Sequence, residues 1–339
     1  MRPSTAFFSL TFLLAGCIEN TPYRAEQTDT FFQEPPSDVD ILWVIDNSPS
    51  MAQEQEEVGR RFAEFIGHLE GTNIDFHLGI VTTDMDEDNP DAAHLIGDPP
   101  VIDADVPGYQ EVFNARVQVG IDGSDQERGL EAAYQALTEP VVSDANAGFL
   151  RREATLSIIF VSDENDCSDR GALPSGADGA ACYTDAGLLA PIRDFVEDYR
   201  ALKDDPSAVI ASAIVGPDIN EGCVDSVPGT RYRSVAENTG GIEGNICDED
   251  FTGIMDEMGL SVSGVRSSFE LSKVPVLETL GVWVGDPDDD ISTWEEVFED
   301  EATGWTYDAE TYFLIFHGAA VPARGSAITV TYEVAGSHE

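Results

Sequence analysis

Residues 40–51 read DILWVIDNSPSM, and no other stretch constrains the fold as much. Residues 41–45 are an unbroken apolar run, without the polar alternation of a sheet that has one wet face. Such a run belongs to a central parallel strand covered on both sides. Asp46, Ser48 and Ser50 follow at its carboxyl end. In an open α/β sheet that end is where ligands bind, and the Asp-x-Ser-x-Ser spacing sets one carboxylate and two hydroxyls on one tight turn. Hard oxygen donors of this kind suit a magnesium-like cation. Taken alone, the turn also fits a polar strand-to-helix connection with a capping serine.

Two further segments carry the same chemistry. Residues 120–137 read GIDGSDQERGLEAAYQAL, with Leu130, Ala133, Tyr134 and Leu137 at helical spacing behind a Gly-rich loop that holds Ser124. Residues 156–163 read LSIIFVSD, a second apolar strand that ends in Asp163. Together the three segments resemble the metal-ion-dependent adhesion site of von Willebrand factor type A domains. The resemblance implies a doubly wound, mostly parallel α/β sheet of Rossmann-like type. It also implies a metal site of Asp46, Ser48, Ser50, Ser124 and Asp163, and Mg2+ (or Mn2+ or Ca2+) as cofactor. The family usually has threonine where Ser124 stands. Serine keeps the oxygen and loses the methyl that restricts the rotamer, and the neighbouring Asp125 is an alternative donor.

The chain has 339 residues, 42% of them hydrophobic, enough for an α/β domain of about 200 residues and a smaller one. Arg2 and the apolar residues 6–15 have the layout of a secretory signal peptide, too short to span a bilayer. It ends in Leu14-Ala15-Gly16-Cys17, similar to a bacterial lipobox, in which Cys17 becomes the lipidated first residue. Residues 1–16 are then a signal peptide. Residues 17–38, with Pro35 and Pro36 and no periodic pattern, read as a tether. The α/β domain covers 39–264, with an amphipathic helix carrying Val58, Phe62, Phe65, Ile66 and Leu69. A short antiparallel strand is expected at 115–119, and a helical face runs from Leu188 through Ile192, Phe195, Val196 and Tyr199 to Leu202. From about 265 the period becomes two: Ile328, Val330, Tyr332 and Val334 alternate with polar residues, which predicts a small C-terminal antiparallel β module over 265–339.

With Cys17 set aside, Cys167, Cys182, Cys223 and Cys247 remain. An even number in an exported chain reads as disulfides, and four cysteines allow three connectivities. Neighbour pairing, Cys167 with Cys182 and Cys223 with Cys247, is the simplest. No Cys-x-x-Cys or ordered Cys/His spacing supports zinc.

Acidic residues number 65 against 17 basic ones, for a net charge of −48. That excludes a nucleic-acid surface and leaves a lipid anchor as the only contact with a membrane. Acidic residues spread over every segment fit solvation in high salt, where screening weakens their repulsion. Asp84, Asp86 and Asp88 have the spacing that opens a calcium loop, but Asn89 and Leu95 stand where the pattern needs glycine and glutamate. A phosphatase-type nucleophile turn at Asp46 would need an aspartate where Ser48 stands, so the chain reads as no enzyme.

The segment 162–168, SDENDCS, with the lipobox and β tail, resembles a group of lipoproteins from myxobacteria and related Gram-negative lineages. Ile18 after Cys17 is not the aspartate that retains such proteins in the inner membrane. The expectation is an outer-membrane lipoprotein of a Gram-negative cell envelope, periplasmic or surface-facing. It would bind a divalent cation and, through it, a protein ligand that presents a carboxylate. The alternatives are a structural envelope scaffold with a vestigial or purely structural metal site, and a metal-dependent hydrolase.

Overall fold

The computed structural model describes residues 24–33, 38–70, 74–174, 178–218, 226–264, 266–309, 312–323 and 325–335. The lipobox with Cys17, and Cys223, lie outside them. The chain divides into two compact units. One holds Gln33–Arg266 and Pro322–Ser326; the other holds Ser267–Val321 with the flanking segments up to Phe32 and from Ala327. The first strand, β1 (Arg24–Phe32), belongs to the latter.

The larger unit is built on five parallel strands: β2 (Asp38–Ile45), β3 (Asp75–Thr82), β4 (Thr155–Ser162), β5 (Val209–Val215) and β6 (Glu243–Asn245). Their order in the sheet is β3-β2-β4-β5-β6. The apolar run of β2 explains its inner place, because successive side chains of a strand point to opposite faces. Ile41, Trp43 and Ile45 enter one core with α1 (Ala52–Arg60), α2 (Phe62–Ile66) and α3 (Tyr109–Val117). Leu42 and Val44 enter the other, with α4 (Gly129–Ala136). A short helix, α5 (Ala181–Thr184), precedes α6 (Ile192–Arg200) and α7 (Thr230–Thr239), which share the second core, while α8 (Thr252–Val262) closes the first. Trp43 meets Phe65 and Phe113 edge-on, with centroids 5.3 and 5.4 Å apart. Each such fully buried side chain contributes about 1.5–3 kcal/mol.

The single helix expected to carry Val58 through Leu69 breaks at Arg61 into α1 and α2, with Leu69 beyond both, and three further local expectations need correction. The strand expected at 115–119 is instead the end of helix α3: Phe113 and Val117, one turn apart, are both buried, and Phe113 stacks on Phe62 at 3.7 Å. Leu188 does not join α6. That helix starts after Pro191, whose fixed φ suits a helix entry, and Leu188 sits exposed in a separate short turn. The third concerns the expected tether, of which residues 24–32 are a strand. β1 pairs antiparallel with β12 (Ala327–Ala335) from Arg24↔Ala335 to Phe32↔Ala327. Its inward positions include Gln27 and Asp29, so hydrophobic alternation is hidden. Asp29 accepts bonds from Ser272 N (2.8 Å), Ser272 Oγ (2.6 Å) and Tyr332 Oη (2.7 Å).

The smaller unit has every pair of its named strands antiparallel. It adds β7 (Ser268–Glu270), β8 (Gly281–Gly285), β9 (Glu295–Val297), β10 (Trp305–Asp308) and β11 (Phe313–Phe316). These form one sheet β1-β12-β8-β9 and another β10-β11-β7, around a core that includes Phe269, Leu314, Ile328 and Val330. Among the described residues no helix is long and apolar enough to cross a membrane.

Asp40, near the amino end of β2, is fully buried. Its Oδ1 accepts from Arg151 Nε at 2.7 Å and its Oδ2 from Lys203 Nζ at 3.1 Å and Arg151 N at 2.7 Å. Lys203 Nζ also donates to the Arg151 carbonyl. This polar knot ties β2 to the segments before β4 and after α6.

Candidate metal centre

Parallel pairing aligns the strands so that Ile45 faces Thr82 on one side and Val161 on the other, and Ser162 faces Val215. The residues that follow each strand therefore meet on one rim. Asp46 is buried there. Its N–H donates to the Val161 carbonyl at 3.0 Å. Its Oδ1 accepts from Ser48 N at 2.7 Å, an Asx turn, and its Oδ2 accepts from Ser162 Oγ at 2.6 Å. The turn brings Ser48 Oγ within 3.3 Å of Ser50 Oγ, with Ser48 buried and Ser50 exposed.

The loop before α4 reaches the same rim. Gly123 N donates to the Asn47 carbonyl at 2.8 Å. Gln55 of α1 donates from Nε2 to the Asp46 and Gly120 carbonyls, each at 2.9 Å, and so bridges the two loops. Ser124 Oγ accepts from Gln126 N at 3.1 Å and is half-buried. The third loop begins at Asp163, buried, whose carbonyl accepts from Val227 N at 2.8 Å. All five residues of the expected site thus lie on the three loops of this rim. Asp125, the alternative donor, is exposed beside Ser124, its backbone packed against Gly179.

The SDENDCS segment does more than sequence reasoning found. Helix α4 begins with N–H groups that lack partners inside the helix, and other segments supply them. Gly129 N donates to Tyr232 Oη (3.2 Å), Leu130 N to Asp166 Oδ1 (3.0 Å) and Glu131 N to Ser168 Oγ (2.9 Å). Gly129 has no room for a side chain, since a Cβ would lie 2.5 Å from that buried tyrosine's oxygen. Arg231 Nε donates to Asp166 Oδ2 at 3.0 Å. Cys167 N donates to the Glu127 carbonyl at 2.7 Å, and Cys167 is bonded to Cys182. Closing their separation of 15 residues restricts the unfolded chain by roughly 3 kcal/mol. Cys247 is also disulfide-bonded.

The rim concentrates negative charge. Burial and then the Asp163 charge push the Asp46 carboxyl up to about 7, against the bonds from Ser162 and Ser48. Burial, then the charges of Asp46 and Glu164, push Glu127 up to about 10. Glu164 and Glu54 are raised by burial and by Asp163. Among the described residues no ion pair reaches Asp46, Glu54, Glu127 or Glu164, and Glu127 Oε1 and Glu54 Oε2 are buried without a hydrogen-bond partner. Glu54, Glu127, Ser162 and Glu164 fall outside the Asp-x-Ser-x-Ser pattern; the only signal for them was adjacency to its members. Among the described residues no group of three or more His, Cys, Asp or Glu is arranged to hold a metal ion, so a cation here needs the hydroxyls as well. A cleft of about 680 Å3 opens beside the rim, lined in part by Asn47 and Asp84.

No protein-family model matches the chain, and no curated protein does. Among solved structures, the pilus adhesin SpaC from Lactobacillus rhamnosus GG aligns in two crystal structures, the second of its open conformation, at 11% and 12% identity with TM-scores of 0.40. These alignments cover 93% and 91% of this chain and 42% of SpaC. The pilus adhesin RrgA from Streptococcus pneumoniae aligns at 9% identity and a TM-score of 0.36, over 94% of this chain and 59% of that one. The chain therefore spans less than two thirds of either adhesin, and likeness at this level carries no argument about function.

Proposed function

We propose that the larger unit is a doubly wound von Willebrand factor type A domain whose rim takes up a divalent cation, Mg2+, Mn2+ or Ca2+, and through it a carboxylate of a protein partner. One observation carries the reading: the buried Asp46 and Glu127 and the half-buried Glu164 converge, with no compensating base on any of them among the described residues, beside two hydroxyls 3.3 Å apart. A like-charge cluster of this kind is costly unless a cation relieves it. The hydroxyl spacing fits hard-ion coordination, since adjacent oxygens in an octahedron lie roughly 3.0 Å apart around Mg2+ and roughly 3.4 Å around Ca2+.

Ser48 and Ser50 are the direct donors of the first loop, and Ser124 and Asp163 bring the other two. Both oxygens of Asp46 already accept hydrogen bonds, which suits it to act through water and to fix the turn. The cation supplies an electrophilic position for an anionic oxygen, and the adjoining cleft leaves space for the segment that bears it. Ser48 stands where a proton-transferring aspartate would be needed, so we assign no catalysis. By the same proposal the chain is an outer-membrane lipoprotein of a Gram-negative envelope, anchored through Cys17, with no nucleic-acid partner. The scaffold reading rests on a separate observation: the disulfide and the caps of α4 pin the loops without any cation.

The two are told apart by capture. Immobilised chain should retain envelope proteins in the presence of Mg2+ or Ca2+, release them with chelator, and retain none as Asp46→Ala. A partner that stays bound through both treatments would place capture on another surface.

A further inference from the structure

The sheet β1-β12-β8-β9 has a second face, opposite the core of the smaller unit. Residues paired across antiparallel strands share a face, and Val282 paired with Val330, both fully buried, marks the core side. The other side carries Trp283, flanked by the buried Thr329 of β12 and by Glu296 of β9. Two glycines of β8 make room for rings on this face. A Cβ on Gly281 would lie 2.4 Å from the Trp283 ring, and one on Gly285 would lie 2.3 Å from the Trp294 ring, so both indoles rest on the strand. Trp283 and Trp294 are half-buried, whereas Glu296 is exposed and has no ion pair among the described residues. On β1 the face ends in Phe32, paired with Ala327 and 52% exposed.

We propose that this outer face docks an arginine-bearing segment of a partner protein, with one guanidinium held between Trp283 and Glu296. The two side chains offer what that group matches: its plane stacks on an indole, and its fork of N–H donors pairs with a carboxylate. Directly paired positions hold their Cβ atoms about 5 Å apart, so a single arginine reaches both. A lysine ammonium is a point charge, with no plane to stack and no fork to pair. Charge complementarity sets the sign of the occupant. Residues 286–301 contain nine Asp and Glu and no Lys or Arg, which disfavours an acidic segment and draws a basic one. This surface is independent of the rim, where the expected group is a carboxylate.

The test is fluorescence anisotropy of the labelled peptide (Gly-Arg)4 and its lysine counterpart (Gly-Lys)4 with the whole chain, chelator being present to take the rim cation out of play. Wild type should hold the arginine peptide at least about fivefold more tightly than the lysine one. Trp283→Leu and Glu296→Gln should each weaken the arginine peptide by about 3–10-fold and bring the two peptides level. Glu296 is exposed, so Glu296→Gln should melt as wild type does and reads the site without disturbing the fold. Equal wild-type affinity for the two peptides would show that net charge alone attracts them, and overturns the proposal. So does an arginine-peptide affinity unchanged in Glu296→Gln. Binding of cellohexaose that needs Trp283, in a chain without the arginine preference, would make the face a sugar platform instead.

Discussion

Asp40→Asn should lower the melting temperature of the larger unit by roughly 6–20 °C. Asp40 is wholly buried, and its two oxygens take the Lys203 ammonium, the Arg151 guanidinium and the Arg151 N–H. The amide leaves Lys203, whose side chain is 1% exposed, charged without a counter-ion. Removing one partner from a buried pair costs about 3–5 kcal/mol, and each kcal/mol is worth about 2–4 °C in a unit of this size. Burial already pulls the Lys203 pKa down, opposed by the Asp40 charge. Asp40 lies in β2 six residues before Asp46, which follows the strand roughly 20 Å away, so the variant that remains folded should bind cation as wild type does. A shift under about 3 °C in a thermal melt would mean that the Arg151 carbonyl alone satisfies the Lys203 ammonium.

A saturating divalent cation should stabilise the chain strongly at pH 8 and weakly at pH 5. In the metal-free protein Asp46 has its pKa raised from 3.8 to about 7. The folded state therefore holds a proton that the unfolded state has released. Metal-free stability should fall as pH rises through that window. Glu127, raised from 4.5 to about 10, prolongs the fall above neutrality. The cation binds the deprotonated forms, so its affinity runs the other way. At a thousand times the dissociation constant, mass action stabilises the fold by about 4 kcal/mol. Thermal melts with and without cation at the two pH values read the difference directly. A cation-induced shift as large at pH 5 as at pH 8 would rule out these carboxylates as the ligands.

The parts of the fold that were legible in the sequence are those where one physical demand dominates. An apolar run covered on both faces specifies an inner parallel strand, as residues 41–45 do in β2, and stripes such as Phe195, Val196 and Tyr199 specify helices. Where the inward residues are polar the pattern vanishes: β1 turns Gln27 and Asp29 inward, and their partners Ser272 and Tyr332 are distant in sequence. The end of helix α3 is hidden in the sequence because Val117 and Val119 look like alternation, while Phe113 and Val117 are what the core uses. At the rim, Asp46, Ser48 and Ser50 are local and could be named together. Ser162 and Glu127 act through β2 and through the loop after β4, contacts that only strand pairing creates.

The most direct test of the cation centre is the heat of binding in the pair wild type and Ser48→Ala/Ser50→Ala. Those hydroxyls lie 3.3 Å apart at the rim, so their removal takes away two donors and leaves both cores untouched. Titrated with a divalent cation, metal-free wild type should show one saturable site. The double variant should show none, with its metal-free melting temperature within about 2 °C of wild type. Flat heats in the wild type, or equal binding in the two proteins, would contradict the metal centre described here.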